Sequence, residues 1–195
     1  MNISALLNEL ENILIDNNAI VYNFLNPGVN PAYIRHAMDS LDLKLPNDFY
    51  ELYKWKNGVT ATDENSATEE LIPFGSFYSI DEAIEVYQFN SIQHSYIDKR
   101  YFPLFTNDTG DYYLINTDYD DLEYGMICYY SPPVLLSKNV LTRYDSIFNL
   151  FETLITCLKQ GVYFYENGRI ELDYEQEIVV SKKINPRSNY WKNPQ

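Results

Sequence analysis

Cysteine and histidine are scarce in this chain: 195 residues include two of each. Cys128 and Cys157 show no metal-type spacing and have no close histidine partner in sequence. Neither a zinc site nor a disulfide framework is therefore implied. Both lie in apolar stretches, where a free thiol behaves as a small buried hydrophobe. His36 falls in a helical stretch and His94 in the polar segment NSIQHSY. No Gly-x-Ser-x-Gly elbow, phosphate loop or His-Glu-x-x-His pattern accompanies them. The expectation is packing or surface histidines, no catalytic residue, no metal and no cofactor. Paired carboxylates need no local motif for acid–base work, so a carboxylate-based hydrolase stands as an alternative.

Long apolar runs are missing too. Nothing approaches the roughly 20 residues needed to span a bilayer, which excludes a membrane helix. The opening stretch MNISALLNELENILIDNN is apolar but carries Glu9, Glu11 and Asp16. A secretory signal has a basic start and an uninterrupted apolar stretch. The segment reads instead as an amphipathic helix in a cytoplasmic protein.

Positive charge is the third shortage. Lys and Arg total 14 against 28 Asp and Glu, a net charge of −14. Residues 181–195 hold Lys182, Lys183, Arg187 and Lys192 and no acid, so they form a basic tail. Residues 61–125 hold 14 acids against Lys99 and Arg100 alone, a net −12. Such a field repels nucleic acid and steers cationic surfaces inward at low salt. Solubility alone would also account for the acidity.

What is present suffices for a core: 46% of residues are hydrophobic and 16% aromatic. Ile3, Leu6, Leu7, Leu10 and Ile13 have helical spacing. Asn30-Pro31 reads as a cap and first-turn proline for a second helix with Ile34, Ala37, Met38 and Leu41 on one face. A third helix begins at Pro46, presents Phe49, Leu52 and Tyr53, and stops at Asn57-Gly58. Residues 59–70 form a polar loop. LIPFGSF reads as a short strand, and Ser79 with Glu82 as a capping box for the helix behind it.

YFPLFT, DYYLINT and GMICYY are three strands. The middle one is apolar on both faces, as in a central or doubly covered strand. DSIFNLFETLITCLKQG is a strongly patterned helix, capped by Asp145 or Ser146 and ended by Gly161. Asn167-Gly168 marks a hairpin tip. The order predicts an α+β fold, with helices packed against a mainly antiparallel, twisted sheet. Residues 1–180 are expected to make one domain.

Two further readings concern single segments. DYDDLEYG alternates acids from Asp118, yet Glu123 stands where a hand-type calcium loop needs glycine, which favours a solvated turn. Nineteen tyrosines and ten phenylalanines could build a stacking platform, although many tyrosines alternate within strands and serve the sheet.

The ordered pieces resemble the SUKH superfamily. LKLPNDFYELYKWKNG is similar to its Leu-Pro-x-Asp-aromatic…Asn-Gly opening. LIPFGSFYSIDEAIEVY is similar to its strand and capped helix, and YFPLFTNDTGDYYLIN to its Gly-Asp turn between strands. GMICYY and IFNLFETLI complete the series, which covers roughly residues 30–160. Leu45, Pro46, Asn57, Gly58 and Gly110 are the motif positions with structural roles. The N-terminal helix and the C-terminal hairpin look like additions to this core.

The resemblance implies a non-enzymatic binding protein. The superfamily includes the yeast Smi/Knr cell-wall regulators and many bacterial immunity proteins that neutralise polymorphic toxins, often nucleases. It therefore implies a cognate, cationic protein toxin as partner. A regulatory or scaffold module is the alternative. Glu69, Glu70, Asp108, Asp111, Asp118, Asp120, Asp121 and Glu123 are the candidate partner-binding residues, expected to share one acidic edge. The structural reading of the turn in TNDTGDYYLIN stands beside this: Gly110 supplies a conformation closed to other residues, and Asp108 or Asp111 bonds nearby amides.

Overall fold

The computed structural model describes residues 2–60, 70–107, 110–131 and 140–192. α1 (Ile3–Asp16) starts at Asn2, whose side chain accepts from the Ala5 amide at 3.0 Å. Ile3, Leu6, Leu7, Leu10 and Leu14 form its buried stripe. A 3-10 turn (Ile20–Phe24) leads to β1 (Leu25–Pro27). α2 (Pro31–Ser40) is capped by Asn30 and buries Ile34 and Met38.

α3 (Asn47–Trp55) follows Pro46 and buries Phe49, Tyr50, Leu52 and Tyr53. It ends sooner than expected. Lys56 is already extended, and Asn57-Gly58 lies inside β2 (Lys56–Val59) rather than at a helix stop. The dipeptide has another task, set out below.

LIPFGSF is not one strand. It folds into the hairpin β3 (Glu70–Ile72) and β4 (Gly75–Phe77), turning at Phe74 with φ of 60°. The sequence masks this turn, because Pro73 and Phe74 extend the apolar run. α4 (Ile80–Tyr87) carries the capping box between Ser79 and Glu82. It runs on into a π-helical segment (Gln88–Gln93). β5 (Tyr101–Thr106), β6 (Tyr112–Asn116) and β7 (Ile127–Tyr130) match the three expected strands. β8 (Leu141–Tyr144) was not anticipated; its basic Arg143 breaks an apolar pattern.

β3 to β8 make one six-stranded antiparallel sheet in sequence order. β6 sits inside it. Tyr113 and Ile115 join the main core, while Leu114 joins a smaller cluster with Ile97, Tyr101, Cys128 and Tyr130. Two apolar faces on one strand follow from that position.

α5 (Ile147–Lys159) is capped by Ser146 and packs on α1. Its Leu150, Phe151 and Leu154 lie in the main core. β9 (Tyr163–Glu166) and β10 (Arg169–Leu172) form the expected hairpin. Asn167 and Gly168 both take positive φ, as a two-residue turn of that hand needs.

A sixth helix, α6 (Tyr174–Ile184), was also unanticipated. Lys182 and Lys183 therefore lie in its last turn, where cations favour the negative end of the helix. Beyond it, residues 185–192 run back along the sheet, with Trp191 at 0% exposure. No helix among the described residues is long and apolar enough to cross a membrane.

Candidate functional site

The sheet register decides which acidic residues meet. Glu70, Ser76, Thr106, Tyr112 and Tyr130 stand in one row across five strands. The turn after Thr106 is thus at the same end as Glu70. The connection after Asn116 leaves β6 at its other end. Among the described residues the candidate acids do not share one edge, because antiparallel strands send successive turns to opposite ends. Glu69 and Asp108 lie outside the described residues.

At the first end the carboxylates are committed internally. Asp111 accepts from Asn107 Nδ2 at 2.8 Å and from the Tyr129 hydroxyl at 2.9 Å. Its amide donates to Asn107 Oδ1 at 2.8 Å. Burial, reinforced by Asp111, pushes the Tyr129 hydroxyl up to about 12. Gly110 has φ of +92°, the left-handed region that glycine enters without penalty. Glu70 accepts from the Phe74 amide at 3.2 Å and so closes the β3–β4 turn.

At the second end, residues 117–126 form a closely hydrogen-bonded loop. The Thr117 amide donates to the Arg100 carbonyl at 2.7 Å, and the Gly125 amide to the Asn116 carbonyl at 2.8 Å. Asp121 Oδ1 accepts from the Glu123 amide at 2.9 Å. Its other oxygen accepts from Asn116 and from Arg100, each at 3.3 Å. The Glu123 amide, with Asn116 and Arg100, holds the Asp121 carboxyl below the usual carboxylate range. Glu123 accepts from Thr142 Oγ1 at 3.0 Å. The Arg187 guanidinium donates to the Leu122 carbonyl.

What this loop shows to solvent is a short mixed tip. Tyr119 is 65% and Leu122 91% exposed. Asp118 and Asp120 are exposed beside them, and among the described residues neither is ion-paired. Lys44 Nζ stands 5.4 Å from the Tyr119 ring centroid, and the Tyr119 and Tyr124 rings meet edge to face at 5.2 Å. Of the six candidate partner-binding acids among the described residues, Asp118 and Asp120 are exposed. Asp121 and Glu123 build the loop that carries them.

Of the motif positions, Pro46 touches this loop, and Leu45, Asn57 and Gly58 serve the body of the fold. Leu45 is buried in the core. Pro46 sits beside Gly125 of the loop: a Cβ there would lie 3.5 Å from the proline ring. Asn57 Oδ1 accepts from the Ile80 amide at 2.9 Å, an orphan donor at the start of α4. Gly58 lets the backbones touch, since a Cβ on it would fall 2.1 Å from the Ser79 amide nitrogen. Asn57-Gly58 therefore joins β2 to the start of α4.

Two other concentrations of chemistry stand apart. Arg143 and Glu177, 3% and 0% exposed, form a 3.2 Å ion pair. Arg143 also donates to the Tyr113 hydroxyl at 2.8 Å, and the Tyr163 hydroxyl donates to Glu177 at 2.5 Å. Tyr190 and Trp191 cover the guanidinium at 4.6 and 4.9 Å. Burial opposes its charge, but the surrounding tyrosines and Glu177 outweigh that and keep it protonated. No local pattern hints at this pair, whose members stand 34 residues apart.

The second is a groove of about 550 Å³ on the smaller face of the sheet, with Tyr96, Tyr101 and Tyr130 in its walls. The two cysteines are buried and free, and burial raises both thiols to about 12.

A family model described as the SMI1 / KNR4 family (SUKH-1) matches residues 28–160. No curated protein matches the chain.

Proposed function

The chain belongs to the SMI1 / KNR4 family (SUKH-1), and from that premise we propose that it is a non-enzymatic immunity protein. It binds a cognate bacterial polymorphic toxin and occludes a cationic part of it. The observation that carries this reading is the tip of the 117–126 loop. Tyr119 and Leu122 stand exposed there beside Asp118 and Asp120, which form no ion pair among the described residues. Tyrosine is among the side chains enriched at protein interfaces. Much of the loop's backbone, with Asp121 and Glu123, is already bonded within the fold, so little conformational entropy is lost when it docks.

The net charge of −14 supports the same partner chemistry. A toxin that handles phosphate has a basic active site, and opposite fields accelerate encounter. The test is co-expression with the toxin encoded beside the gene. Growth is expected to be restored and a complex to be recovered. Absence of both would remove the immunity reading.

A further inference from the structure

Residues 185–192 do more than close the fold. They lie on the free side of β8, the edge strand. The Thr142 carbonyl accepts from the Tyr190 amide at 3.1 Å and from Ser188 Oγ at 2.8 Å. Asn185 Oδ1 accepts from the Asp145 amide at 3.1 Å, and Asp145 Oδ2 accepts from the Arg187 amide at 3.2 Å. Trp191 anchors the segment, packed between Tyr144 and Tyr190 over Arg143.

This strap reaches the 117–126 loop by two independent routes. Arg187 donates directly to the Leu122 carbonyl. Thr142 is shared: its carbonyl holds the strap while its hydroxyl holds Glu123. Leu122 lies next to Glu123 and one turn from Tyr119, so both routes end beneath the exposed tip.

We propose that the strap is a brace for the docking loop and that Arg187 is its positioning residue. The inference rests on the reading of that loop as the partner-binding surface. The strap fixes the loop backbone before any partner arrives. A basic side chain on a segment outside the matched family region thus sets the geometry of a loop inside it. The guanidinium holds a backbone carbonyl rather than a carboxylate, and Asp118 and Asp120 stay exposed at the loop tip.

Hydrogen exchange on the free full-length chain tests this without any partner. The reporters are the amides of Glu123, Tyr124 and Met126, each bonded within the loop. Arg187→Ala is expected to speed their exchange about tenfold, the size of one lost hydrogen bond to a charged donor. Arg187→Lys, which keeps a cationic donor, is expected to recover part of the protection. Lys183→Ala, on the exposed side of α6, is expected to change nothing. Unchanged exchange in Arg187→Ala would overturn the brace.

Among the described residues, the hydrogen bonds of Arg187 go to Asp145 and Leu122 and not to the Arg143–Glu177 pair, so the variant is expected to keep its melting temperature within a few degrees. The reading of the loop as a docking surface is decided separately. It falls if Arg187→Ala loosens the loop and toxin binding is unchanged, while the brace then stands.

Discussion

Gly58 shows how much one missing Cβ can decide. Its φ is +78°, and its backbone lies against Ser79, the first member of the capping box. An alanine there would meet both the wrong backbone region and a main-chain atom that cannot swing away. Gly58→Ala is therefore expected to destabilise the protein by at least about 2 kcal/mol, more than the usual penalty of a forbidden φ alone. Urea unfolding measures this, and a midpoint equal to the parent's would refute it. The sequence identified Asn57-Gly58 as special but for the wrong reason. Helix termination and close approach both select glycine, and only the partner segment, 21 residues further on at Ser79, separates the two.

Elements defined by their own periodicity were legible in advance. α1, α5, the capped α4 and the β9–β10 hairpin all carry local signals that the fold keeps. Elements defined by tertiary pairing were not. β8 has four residues and a buried arginine, and α6 has a weak apolar face with a glutamate buried in it. Each makes sense only against the other, through the Arg143–Glu177 pair. Polar groups at core positions read as surface until their partner is known.

The strap is the same case, since its role is to fill the edge of β8. An uncovered edge strand is a template for pairing with another chain. Trp191→Ala is expected to lose about 3–5 kcal/mol of stability through the cavity it leaves. The freed edge should also produce larger species in size-exclusion chromatography coupled to light scattering. A strictly unchanged elution at matched concentration, in a variant still folded by circular dichroism, would argue against the edge-covering role.

For the whole molecule the charge balance matters most at long range. A net −14 and its unevenness along the chain were plain from the sequence, but its distribution in space was not. Folding pairs Asp121 with Arg100, Glu9 with Lys159 and Glu11 with Lys56, and buries Glu177 against Arg143. Asp118 and Asp120 remain outward at the loop tip. Replacing both with lysine is expected to slow association with the proposed toxin about tenfold at low salt and to flatten its salt dependence. Stopped-flow kinetics at two ionic strengths measures this. An unchanged on-rate would place the interface elsewhere.

By itself the sequence determined the helical and strand periods, the caps, the hairpin tip and the sign of the field around the protein. These depend on neighbours within a turn or two, or on composition alone. The tertiary structure alone decided which of the described acids are bonded internally and which point outward. Arg100 finds Asp121 across 21 residues, and Arg187 reaches Leu122 across 65. Such contacts are set by strand order and by the alternation of turns between the two ends of a sheet. No local pattern encodes that alternation, because it emerges only when the strands pair.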